Sequence, residues 1–187
     1  AEFLFKEAGD WIEQHKDQRF FTYIHTIDPH VPYDPPAEYL RMYDARTDYA
    51  GVVRPRMTGD LLEQAKRRPP AVTFNASDVQ RLTALHDGEI TQHDHVFGRF
   101  VERLRALGVL DDTLIVITSD HGEEFDEHGS WGHGHSVYEE LLRVPLLFRF
   151  PGTVPANAKL AQAVGTVSIP ATITDLVGVD PLPNAEA

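Results

Sequence analysis

Thr113–Gly122 reads TLIVITSDHG, a short, continuous, β-branched run that turns abruptly polar. Apolar residues without alternation predict a strand covered on both faces. Loops leaving the carboxyl ends of such strands converge on one crevice in open α/β sheets, and functional groups collect there. Asp120 and His121 occupy that position, and Gly122 frees the backbone to turn so that both side chains can face one ion. A carboxylate beside an imidazole suits manganese or zinc, and serves a harder cation when further carboxylates complete the shell. Read alone, a D-H-G triplet is more simply a capped turn carrying a surface histidine.

Working outward from this run, Ser77 reads as an N-cap. Leu82, Leu85, Ile90, Phe97, Phe100, Val101, Leu104 and Leu107 then recur at helical spacing as far as Gly108, which predicts one long helix. Upstream, RFFTYIH (19–25) predicts another strand, and strand, helix, strand predicts a parallel crossover. Phe5, Ala8, Trp11, Ile12 and His15 predict an amphipathic helix over 2–16. The segment 26–40 holds Pro29, Pro32, Pro35 and Pro36, which predict a loop carrying Asp28 and His30. Residues 41–76 show no period and read as an irregular surface excursion. Downstream, Ser136 and Glu139 form an S-x-x-E box that predicts a short helix over 137–143. PLLFRF (145–150) predicts a third strand, and a last helix is expected to end at Gly178. The whole predicts a single α/β domain over 1–187.

Composition narrows the function. The chain has 187 residues, 42% hydrophobic, enough for one buried core. A formal charge of -12 is the wrong sign for neutralising phosphates, which argues against nucleic acid as a partner. The absence of cysteine removes thiolate ligands and nucleophiles, so any metal must be held by oxygen and imidazole. No stretch approaches the roughly 20 apolar residues of a membrane span. The opening AEFLFKEAGDW lacks an initiator Met, which allows it to be a cut rather than a natural start.

Other histidines add candidates. His30 lies between prolines that restrict it, so its ring could serve as a general acid or base at little ordering cost, although a turn histidine is the plainer reading. His133 and His135 flank Gly134 just before the predicted helix start, where an anion is favoured. A solvated Gly and His loop is an equal reading for them. His86 and His93 share one face of the long helix and His95 does not, so packing or surface roles suit all three. His25 at a strand end could brace the site. Glu123, Glu124, Asp126 and Glu127 read as a solvated acidic loop, and the sequon at Asn75 matters only in a secretory pathway.

Taken together, FFTYIHTIDPHVPYDPP (20–36), LHDGEITQHDHVFGRFVERLRALGVLDDTLIVITSDHGEEFDEHGSWGHGHSVYEELLRVPLLFRFPG (85–152) and VSIPATITDLVGV (167–179) resemble the sulfatases of the alkaline phosphatase superfamily. That resemblance implies an alkaline phosphatase-like, mostly parallel sheet flanked by helices, incomplete in this chain. It implies that Asp120 and His121 are two ligands of a divalent metal, usually calcium in sulfatases and manganese or zinc in phosphoester-cleaving relatives. His30 would contact the ester and help protonate the leaving alcohol. His133, or failing that His135, would stand where many relatives place a lysine against the anionic oxygens, a lysine missing from that position here.

Sulfatases carry a C/S-x-P-x-R motif, whose first residue becomes formylglycine, and an acidic metal-binding pair. Neither occurs in these residues, and the nearest string, at Ser168 in SIPAT, lacks the arginine. The resemblance therefore implies the C-terminal portion of a metal-dependent sulfuric ester hydrolase acting on an anionic sulfate ester, with formylglycine expected in a part upstream. These residues alone are expected to bind metal weakly and not to turn over. The alternatives are a phosphoester hydrolase or phosphoryl-group transferase of the same superfamily, and a catalytically dead binding module. Many relatives are exported or anchored, which points to a periplasmic, extracellular or membrane-anchored location. The residues name no particular substrate and no oligomeric state.

Overall fold

A computed structural model describes residues 1–180 and Pro183. Its spine is one long helix, α4 (Ala76–Ala106), against which α1 (Glu2–His15) and α2 (Ala37–Tyr43) pack. The other helices are α3 (Thr58–Lys66), α5 (Glu139–Leu142) and α6 (Ile169–Leu176). The strands are β1 (Ile115–Thr118), β2 (Glu124–Phe125), β3 (Trp131–Gly132) and β4 (Leu146–Arg149).

The N-cap of helix α4 is Asn75, two residues before the Ser77 expected. Asn75 accepts from the N–H groups of Ser77 and Asp78, and the Asp78 carboxylate takes the Asn75 N–H in return, which closes a reciprocal capping box. The helix ends as expected, with Gly108 at φ +74 in the left-handed region. Its buried stripe runs through Leu82, Leu85, Glu89, Val96, Phe100 and Leu104, and Ile90 faces outward.

Two cores form along this spine. Around its first half, Leu82, Ala84 and Leu85 pack with Tyr33, Leu40 of α2, Val53, Leu62 and Ala65 of α3, and Trp131 of β3. Around its second half, Val96, Phe100 and Leu104 pack with Phe5 and Ile12 of α1 and with Leu110. Burial of these side chains is the main stabilising term for both ends of the helix.

Three expectations are corrected. Residues 19–25 are extended but join no ladder, and among the described residues both strand pairs, β1 with β4 and β2 with β3, are antiparallel. No parallel crossover is therefore observed, although the α/β class stands. β1 is also covered less than its composition demands, since Ile117 and its partner Leu147 on β4 stay largely open. Residues 41–76 are not wholly irregular, because α3 lies within them and contributes Leu61, Leu62 and Ala65 to the core. Its apolar positions are too few to show a period in a stretch crowded with charge and proline.

Ser136 does not cap α5. Its hydroxyl donates to Glu124 Oε2 at 3.2 Å, and the helix starts after Tyr138. A buried carboxylate offers that hydroxyl a stronger, charge-assisted partner than a helix N–H.

Candidate active site

The loop from β1 to β2 turns sharply against α5. Gly122 donates its N–H to the Leu141 carbonyl at 2.9 Å, and a Cβ on Gly122 would fall 2.0 Å from the Glu140 carbonyl oxygen. Only glycine allows so close an approach, and the approach fixes the orientation of Asp120 and His121. The His121 ring faces the Gly122 carbonyl through Nδ1 at 2.8 Å. A carbonyl only accepts, so Nδ1 carries the proton and Nε2 keeps its lone pair. That Nε2 lies 3.9 Å from Asp120 Oδ1. A ring nitrogen tied to a backbone carbonyl and its partner freed beside a carboxylate is the donor arrangement a divalent metal uses. Two donors make half a shell, and among the described residues no group of three or more metal-capable side chains forms.

His30 is set the same way from the proline-rich loop. Its Nδ1 meets the Val31 carbonyl at 2.6 Å, which leaves Nε2 free. Its ring centroid lies 5.2 Å from that of His133, and His133 in turn stacks on His121 with centroids 4.0 Å apart. Residues from three separate loops thus bring His30, His121 and His133 into one row, with Asp120 at its end.

Glu123 organises this row, a role its place in an acidic run conceals. Its side chain is almost fully buried, and it accepts from His133 Nδ1 at 3.0 Å and from the Tyr33 hydroxyl at 2.7 Å. Burial, and then the charge of Glu123, drive the Tyr33 phenol far above its usual range, so Tyr33 remains a donor at any ordinary pH. Glu124 is fully buried as well. It accepts from His135 Nε2 at 3.0 Å, from Ser136 and from the His128 N–H. Burial pushes the Glu124 carboxyl up, but these bonds, His135 first, outweigh it and hold the group below the ordinary value. The expectation of a solvated acidic loop therefore fails for both residues, whereas Asp126 and Glu127 lie at the surface. His135 is directed at Glu124 and does not line the cleft.

The cleft itself has a volume of about 220 Å³, with His30, Val31, Leu62, Lys66, Glu123 and His133 in its walls. Lys66, at the end of α3, went unnoticed in the sequence because nothing local connects it to the distant histidine loop. His86 and His93 behave as expected of packed histidines, both kept neutral chiefly by burial. His95 is bonded to Tyr39 on the exposed side of α4, and His25 lies against Tyr23.

A family model described as Sulfatase matches residues 1–179, nearly the whole chain. The chain belongs to the sulfatase family. Arylsulfatase K of Bos taurus is 34% identical over 111 residues, 59% of this chain and 20% of that protein. Among solved structures, a protein in complex with its substrate D-glucosamine-2-N,6-O-disulfate superposes over 98% of this chain and 49% of its own, with TM-score 0.74 and 20% identity, a likeness of fold. The phosphonate monoester hydrolase of Silicibacter pomeroyi superposes over 95% of this chain and 38% of its own, with TM-score 0.66 and 29% identity. The chain thus spans half or less of the length of these relatives. Within a sulfatase, the row of imidazoles beside Asp120 occupies the part of the fold that the strand-end rule singled out.

Proposed function

We propose that this sulfatase-family chain forms one wall of the active site of a metal-dependent hydrolase of sulfate esters. The observation that carries the reading is the row of His30, His133 and His121, with ring centroids 5.2 and 4.0 Å apart; His30 and His133 line the cleft, and His121 stacks behind His133 with Asp120 beside it. A sulfate ester is a stable anion, and its cleavage needs charge on its oxygens, a placed nucleophile and a proton for the leaving alcohol.

In this reading Asp120 and His121 hold a divalent cation, calcium before manganese or zinc, which when bound supplies positive charge to the ester oxygens. His30, fixed by the Val31 carbonyl, presents Nε2 to the leaving oxygen as the group through which a proton is passed. His133 donates Nδ1–H to Glu123, so the carboxylate keeps its ring oriented toward the anion. His135 acts one step away, by fixing Glu124 beneath the loop. The nucleophile, a formylglycine in this reading, is supplied by sequence outside these 187 residues, as are the remaining metal ligands. The chain by itself is then not a catalyst.

Hydrolysis of an aryl sulfate by the protein that carries this sequence tests the proposal. His30→Ala is expected to lower kcat by about 10²–10⁴-fold, the usual contribution of a placed acid. Undiminished turnover in His30→Ala, or efficient turnover by residues 1–187 alone, would contradict it. A second reading, phosphoester or phosphonate monoester hydrolysis, is favoured by the likeness to the Silicibacter pomeroyi enzyme. The same cleft would accept either anion, and a preference for phenylphosphonate over the aryl sulfate in kcat/KM would decide for that reading.

A further inference from the structure

We propose that Lys66 is the cation that binds the anionic oxygens of the ester in this cleft, across Gly132 from His133. The assignment rests on the ester-hydrolase reading above and adds to it a residue that no motif marks. Among the residues that line the cleft, Lys66 is the sole lysine or arginine. A chain of net charge -12 repels an anion at long range, so a binding cleft needs a local fixed cation. A lysine ammonium is a compact point charge suited to that role.

The geometry places the ammonium beside the glycine that precedes His133, in the wall of the same cleft. Gly132 has φ +70, and a Cβ there would lie 3.3 Å from Lys66 Nζ and 3.4 Å from Glu123 Oε1. The side chain that glycine omits thus leaves open the space between the ammonium and the carboxylate that holds His133. Glu123 is already engaged by His133 and Tyr33. The remaining partner of Lys66 is Glu63 at 3.0 Å, whose side chain is 70% exposed while that of Lys66 is 26% exposed. A one-turn pair with so exposed a carboxylate is weak and screened by solvent, so an incoming anion can displace it. The scaffold is rigid: Leu62 and Ala65 of α3 and Trp131 of β3 belong to one core, which fixes the end of α3 beside the glycine.

Binding of inorganic sulfate and inorganic phosphate to the 187-residue chain, followed by NMR titration, tests this directly. Lys66→Met keeps the stem and is expected to weaken sulfate binding by about tenfold or more, the share of one charge-assisted bond. Lys66→Arg is expected to retain most of the affinity. Glu63→Gln removes the competing carboxylate and is expected to tighten binding a few-fold. A purely structural pair predicts instead that Lys66→Met and Glu63→Gln lower the melting temperature together and leave sulfate affinity unchanged, and that result would overturn the assignment. Failure of wild type to bind either anion would overturn it as well. Lys66-dependent binding of both anions by a protein that hydrolyses no aryl sulfate would retain Lys66 and sink the sulfate-ester reading alone.

Discussion

At the scale of single residues, buried carboxylates set the behaviour of this protein. Glu89, in the middle of α4, is buried and accepts the Asp34 N–H at 2.6 Å, while its Oε2 meets no protein partner. Burial pushes its carboxyl up to about 7, above the ordinary 4.5. A raised carboxyl favours the protonated form in the fold, so its contribution to stability is complete below the unfolded value and is lost as pH rises through about 7. Urea midpoints measured from pH 4.5 to 8 are expected to show this loss in wild type, about 1–3 kcal/mol, and to flatten in Glu89→Gln. Asp44 lies at the opposite extreme. Bonds from Arg46, and then from Arg81, outweigh burial and hold its carboxyl far below the usual range. Asp44→Asn leaves two guanidinium groups short of their charge partner and is expected to cost about 3 kcal/mol in chemical denaturation. Asp120, His121 and His30 were legible in the sequence because each follows a strand-like run or sits in a proline-fixed loop, and His133 because it flanks Gly134 just before a predicted helix start. Glu123 and Lys66 were not, since only the closed fold reveals that one is buried beneath an imidazole and the other is carried to it on α3.

At the scale of elements, capping and close approach decide the positions of the candidate site residues. Asn75→Ala removes the acceptor for two N–H groups at the start of α4 and is expected to cost about 1 kcal/mol. Gly122→Ala is a sharper test, because its Cβ would overlap the Glu140 carbonyl. A loss of about 2–3 kcal/mol in thermal or chemical melts is expected, together with a shift of the His121 ring resonances as the loop and α5 separate. The long helix was readable from its period, and its end from Gly108. The extended segment 19–25 has the composition of a strand, with Phe21 and Tyr23 exposed, yet among the described residues no strand lies beside it to complete a ladder. Composition specifies a tendency to pair; a partner chain segment decides whether the tendency is satisfied.

At the scale of the whole molecule, the chain spans half or less of the length of the relatives it matches. Phe21, Tyr23, Ile27 and the paired Ile117 and Leu147 are all exposed apolar side chains. The isolated 187 residues are therefore expected to associate as concentration rises, which light scattering would register, and a strictly monomeric chain at high concentration would contradict this. The central claim remains the row of His30, His133 and His121 beside one cleft. Its most direct measurement is a titration of the histidine ring ¹⁵N signals with sulfate in the presence of calcium. His30, His121 and His133 are predicted to shift along one binding curve while His15, His86 and His95 stay still; rings that respond separately, or no more than these outliers, would contradict it.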